Sequence, residues 1–209
     1  NNLLSSLPFV FDTVYSIVTN DGVGNTSTEN LSYEGGKYYY GDERDRKFAG
    51  FHKVISTNGL GYVTKEFHHQ GNATDSSNGE YSDDDSKIGQ TYRIEKYDGS
   101  SNKFAQSIYK WDKYDLGNGR DFVKLVQKID FTYDGDSDHK DTAESYTYEN
   151  TYGNLTQKIT WGEVTGSGDG TYTDTGSDKF TTDYTYAANT TDYVVGLPSE
   201  EDVIDQSSN

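Results

Sequence analysis

The side chains that could do chemistry are few and scattered. The chain has four histidines, His52, His68, His69 and His139. Adjacent side chains in a strand project to opposite faces, so His68 and His69 are not expected to share a metal ion. Zinc would also want further ligands, and none stands near them in sequence. A structural or surface role is expected for all of them. Asp134, Asp136 and Asp138 have the alternate-carboxylate spacing that begins a calcium loop. An EF-hand loop opening there would need glycine at its sixth position and glutamate at its twelfth, where this chain has His139 and Ser145. Calcium is thus the one cofactor the residues suggest, with a plain acidic turn as the simpler reading; Asp83-Asp84-Asp85 is less specific still. With 35 acidic residues, carboxylate pairs of the glycosidase kind arise by chance. No catalytic residue is assigned, and the chain is expected not to be an enzyme.

Composition narrows the remaining classes. At 209 residues the chain could form one large β domain or two small ones. Hydrophobic residues make up only 31%, but 14% are aromatic and 19 are tyrosine, which favours a pleated, half-buried surface over disorder. A net charge of −17 disfavours nucleic acid and anionic membrane as partners. The absence of cysteine excludes disulfides and thiolate chemistry. No stretch approaches the roughly 20 apolar residues of a membrane span, and no signal peptide is visible. The chain starts on Asn1-Asn2 without methionine and ends on Asp205-Gln206-Ser207-Ser208-Asn209, which reads as a hairpin turn lacking its return strand. A fragment of something longer is expected.

The elements that must position any site read as hairpins. In the most regular one, a short strand ends at Tyr148, a polar turn closes on Gly153-Asn154, and Leu155, Gln157, Ile159 and Trp161 alternate with Thr156, Lys158 and Thr160. Gly153 and Asn154 are expected to supply positive φ. Units of this kind are expected at about 9–40, 46–70, 91–111, 121–148, 145–165 and 178–209. The first contains a hairpin at roughly 14–33, after which Gly35-Gly36 is expected to break the chain. Asn58-Gly59 is a strong tight-turn signal. Gln70 to Gln90 and Gly162 to Asp178 read as long loops. No window sustains helical apolar spacing. The expected fold is all-β, with repeated hairpins forming one curved antiparallel sheet, Tyr and aliphatic positions facing inward. Tyr40, Tyr97, Trp111, Tyr148 and Trp161 are expected to pack as cross-strand aromatics; the alternative is an adhesion or carbohydrate-binding module that stacks a cell-surface glycan on them.

Aligned on their turns, the units share Asp21-Gly22, Asn58-Gly59, Asp98-Gly99 and Gly153-Asn154. A hairpin that repeats cannot bury its apolar face alone, so neighbours must pair edge to edge. The Tyr-Asp-x-x-Gly-Asn pattern resembles the YD repeat of the Rhs, teneurin and Tc-toxin B/C group. Arg46-Lys47-Phe48-Ala49-Gly50-Phe51-His52-Lys53-Val54, followed by Glu66-Phe67-His68-His69-Gln70-Gly71 and Tyr92-Arg93-Ile94-Glu95, resembles a segment that precedes the repeats in SpvB/TcdB-like insecticidal toxin subunits. That resemblance covers nearly the whole chain. It implies a section of a spiralling, secreted bacterial shell that encloses a toxic polypeptide, with the rest of its own chain and that effector as partners. No self-cleavage motif or effector domain of the family is visible here.

Overall fold

The computed structural model describes residues 3–4 (backbone alone), 7–71 and 74–206; the end of the expected C-terminal turn, Ser207 to Asn209, lies outside them. The chain is all-β, with 13 strands in one open, curved antiparallel sheet. The strands are β1 (Leu3–Leu4), β2 (Ser16–Asn20), β3 (Thr26–Tyr40), β4 (Arg46–Asn58), β5 (Val63–His68), β6 (Thr91–Tyr97), β7 (Lys103–Asp115), β8 (Asp121–Tyr133), β9 (His139–Tyr148), β10 (Leu155–Gly166), β11 (Tyr172–Asp174), β12 (Phe180–Tyr186) and β13 (Pro198–Asp205). Their spatial order follows the chain from β3 to β10, then β12 and β13. β1 and β2 both pair with β3, and β11 pairs with β10. Among the described residues the only helical elements are 3-10 turns at Ser76–Asn78 and Asp85–Lys87.

Period-2 alternation sets the covered face. Ile108 on β7 pairs with Ile129 on β8, which pairs with Ala143 on β9, while Phe131 pairs with Asp141 and Asp141 with Val164 on β10. Ile108, Ile129, Phe131, Ala143 and Val164 form the buried core, flanked by Tyr133, Trp161 and Tyr172. Polar groups share this face: Arg93, Glu95, Gln106 and Asp141 are also buried. The covered face thus carries the expected aliphatic and tyrosine positions together with a polar set that was not expected, and loops rather than a second sheet cover it.

Several local expectations change. Gly35-Gly36 does not break the chain: β3 runs through it with Gly35 at φ +67°, and the register shift between Gly36 and Tyr38 puts the extra residue of a bulge in β4, at Ala49-Gly50. Gly162 to Asp178 is not a plain loop. β10 shifts register between Thr160 and Gly162, then continues to Gly166 and pairs back with β11 as an arm that bends over the covered face. In the central hairpin Gly153 has φ +80°, but Asn154 is not among the left-handed residues; its side-chain amide donates to the Val195 carbonyl at 2.8 Å instead.

The repeat turns share one chemistry. The Asp98 carboxylate accepts the amides of Ser100 and Asn102 at 2.9 and 2.8 Å, and Asn58 does the same for Leu60 and Tyr62 at 3.0 Å each. Asp21 accepts from Val23 and Asn25, and Glu149 from Thr151, Tyr152 and Asn154. These bonds hold the Asp98 carboxyl below its usual range, with the Asn102 side chain contributing most. The positive φ falls at Gly61 and Ser101, not at Gly59 or Gly99, since each turn is a three-residue loop closed by a left-handed residue. Gly61→Ala is accordingly expected to cost about 1–2 kcal/mol from the left-handed strain alone. Gly59→Ala is expected to be near neutral. Paired urea denaturation curves of the two variants check the assignment.

Candidate functional site: a buried polar seam under two loops

Arg93 and Glu95 on β6 face Ile108 and Gln106 on β7. The Arg93 guanidinium donates to Glu95 Oε1 (3.0 Å from Nε) and to Gln106 Oε1 at 3.1 Å. Through Nη1 it also reaches the carbonyls of Asn78 and Gly168, at 3.3 Å each. Those carbonyls belong to different loops, 69–90 and 167–171, so one planar donor fork ties both to the sheet. Tyr97 donates its hydroxyl to Glu95 Oε2 at 2.8 Å, and Lys103 donates to Gln106 Oε1 at 2.8 Å. The loops meet over Ile108. A Cβ on Gly79 would lie 2.7 Å from Ile108 Cγ2, and one on Gly170 would lie 3.1 Å from it. Gln127 closes the far side by donating to the Gly170 carbonyl at 2.7 Å.

Burial pushes the Glu95 carboxyl up, but the hydrogen bonds from Arg93 and Tyr97 and the Arg93 charge outweigh it and hold the group below its ordinary 4.5. Burial, then the bond to Glu95, pushes the Tyr97 phenol up to about 12. A carboxylate lowered in the folded state adds stability that is full above its unfolded pKa and is lost as pH falls through the folded one. The stability gap between the native chain and Glu95→Gln is therefore expected to be widest near neutrality. It should narrow below about pH 4.5, as read from chemical denaturation at pH 7 and pH 3.

Residues 69–90 are far from a plain loop. Gln70, which is buried, donates its side-chain amide to the carbonyls of Gly35 (2.7 Å) and Gly50 (3.0 Å), joining the loop to Gly35 of β3 and to the bulge of β4. The Gly-Phe and His-Gln-Gly stretches noted in the sequence are thus parts of one packed unit. Lys87 is 1% exposed and donates to the carbonyls of Tyr81 and Ser82 at 3.0 and 2.7 Å; burial lowers its pKa. His69 is fully buried, and its Nδ1 lies 2.9 Å from Asp83 Oδ1 and 3.0 Å from Glu80 Oε1. Burial pushes the His69 imidazole down, but its contacts with Asp83 and Glu80 outweigh that and raise it. Among the described residues, His69, Glu80 and Asp83 are the group whose ligand atoms lie within 4.8 Å of one another. Glu80 and Asp83 stand 11 and 14 residues from His69 in sequence, in a loop whose polarity gave no hint of burial.

The other singled-out residues lie elsewhere. Asp134, Asp136 and Asp138 are exposed on the β8–β9 turn, where Asp136 accepts the Asp138 amide at 2.7 Å. His68 Nδ1 lies 3.1 Å from the Thr91 hydroxyl, His139 pairs with Asp141, and His52 packs against Phe67 and Tyr92. Trp111 donates to the Thr91 carbonyl at 2.8 Å. Trp161 donates to the Ser145 hydroxyl and packs on Tyr172 with ring centroids 5.7 Å apart. No helix among the described residues is long and apolar enough to cross a membrane.

Residues 1–76 match the family described as the insecticide toxin TcdB middle/N-terminal region. No curated protein sequence matches the chain. Among solved structures, a chain in the crystal structure of TcdB2-TccC3-Cdc42 is similar at 16% identity with a TM-score of 0.69, over 95% of this chain and 13% of that one. At that identity the likeness establishes the fold. The family match is confined to the first 76 residues, whereas the fold match runs over nearly the whole chain.

Proposed function

We propose that the chain is a non-catalytic structural section of a secreted or cell-surface bacterial Rhs/YD-repeat, Tc-toxin-like shell that encloses a toxin or effector polypeptide. One observation carries the reading: 13 strands form a single uninterrupted sheet whose covered face is sealed by its own loops. Such a sheet suits a wall. β13 has only β12 beside it among the described residues, and its strand residues are almost all exposed, which leaves a margin able to pair with further strands of the same parent chain. The repeat-turn residues Asp21, Asn58 and Asp98 would serve this role by fixing each hairpin, and the enclosed polypeptide would be held by burial rather than by chemistry. The glycan-binding alternative has less support, because both tryptophans are half-buried and engaged.

Limited proteolysis of the native parent protein, with intact-mass readout before and after denaturation, tests enclosure. A C-terminal piece that is cleaved from the chain yet protected until the shell unfolds is expected. Immediate digestion of everything beyond the repeats would remove the enclosing role.

A further inference from the structure

We propose that His69, Glu80 and Asp83 form a structural binding site for one divalent transition-metal ion of the zinc or manganese class, which locks loop 69–90 onto the sheet. An imidazole Nδ1 carries at most one hydrogen, yet carboxylate oxygens of both Asp83 and Glu80 face it at 2.9 and 3.0 Å. All three side chains are at most 4% exposed, so the three groups meet away from bulk water. A neutral His69 brings no positive charge to the two carboxylates it faces. A protonated one leaves a net negative charge and a single proton between the two oxygens. Lys87, the buried cation of the loop, gives its ammonium to the Tyr81 and Ser82 carbonyls.

A divalent cation bound to the nitrogen and to one oxygen of each carboxylate cancels both charges and satisfies all three atoms. One imidazole with carboxylates is a donor set suited to zinc or manganese. Backbone amides already orient both carboxylates: Glu80 Oε2 accepts the Asp75 amide at 2.6 Å, Asp83 Oδ1 accepts the Asp84 amide at 2.9 Å, and the Gln70 amide lies 3.4 Å from Asp83 Oδ2. Binding at Nδ1 places the imidazole hydrogen on Nε2. His69 Nε2 and the Tyr92 hydroxyl are the buried side-chain polar atoms that have no partner. Their rings are in contact, with centroids 5.3 Å apart, but no hydrogen bond joins them.

The test dialyses the whole chelator-treated chain against ZnCl2 and, separately, MnCl2, then counts retained metal by mass spectrometry alongside a melting curve. One ion per chain and a raised melting temperature are expected. Glu80→Gln and Asp83→Asn, each checked for folding by circular dichroism, are expected to weaken binding by about tenfold or more, whereas Asp136→Asn leaves it unchanged. X-ray absorption on the zinc-loaded native chain is expected to show a single imidazole in an otherwise oxygen shell, which keeps the test decisive even if the variants do not fold. Absence of retained metal in the folded native chain, unchanged affinity in both folded variants, or a shell with no imidazole or several would each overturn the site.

Discussion

Replacing Arg93 by alanine is expected to destabilise the protein by about 3–5 kcal/mol, as breaking a buried ion pair from one side does. The loss has a specific anatomy. Glu95 would remain buried with only Tyr97 donating to it, and the carbonyls of Asn78 and Gly168 would lose their shared donor. Amide hydrogen exchange should therefore accelerate in residues 74–90 and 167–171 before it does in β8 or β9, because the loops open as a local unit. A double change of Arg93 and Glu95 to methionine removes charge and partner together and is expected to cost much less. If the single and double variants lose the same stability, the guanidinium is not what joins the loops.

Gly79→Ala is expected to have the next largest effect, about 2–4 kcal/mol from the left-handed strain and the overpacking together. Gly79 has φ +84°, and its added Cβ would meet Ile108 Cγ2 at 2.7 Å and the Gly168 carbonyl at 3.4 Å. Ile108 is itself 1% exposed in the centre of the core, so it has little room to yield. Gly22→Ala provides the contrast. Its φ of +77° is similar, but nothing lies within 4 Å of the added atom, and only the strain should remain. Thermal melts of both variants separate strain from clash.

The legible parts of this fold are those set by local physics. Alternation in β8 puts Ile129 and Phe131 on one face because side chains repeat every second residue, and they are the buried pair observed. Turns at Asn58 and Asp98 are legible because their side chains accept nearby amides, although the loop length moved the left-handed residue to Gly61 and Ser101. Gly35-Gly36 was misleading, since glycine marks a chain break and a left-handed residue inside a strand equally well. What decides between them is Gln70, reaching the Gly35 carbonyl from 35 residues away. The seam was hidden for the same reason. Arg93, Glu95, Gln106, His69 and Lys87 look like surface residues, and only the loops that close over them supply the partners that make burial tolerable.

An electron cryomicroscopy reconstruction of the native parent protein is the direct test of the proposed wall. β13 is expected to be hydrogen-bonded to a further strand of the parent chain, and one face of this sheet to be turned toward an internal cavity containing protein density. A β13 margin open to solvent, with both faces of the sheet on the outside of the particle, would contradict it.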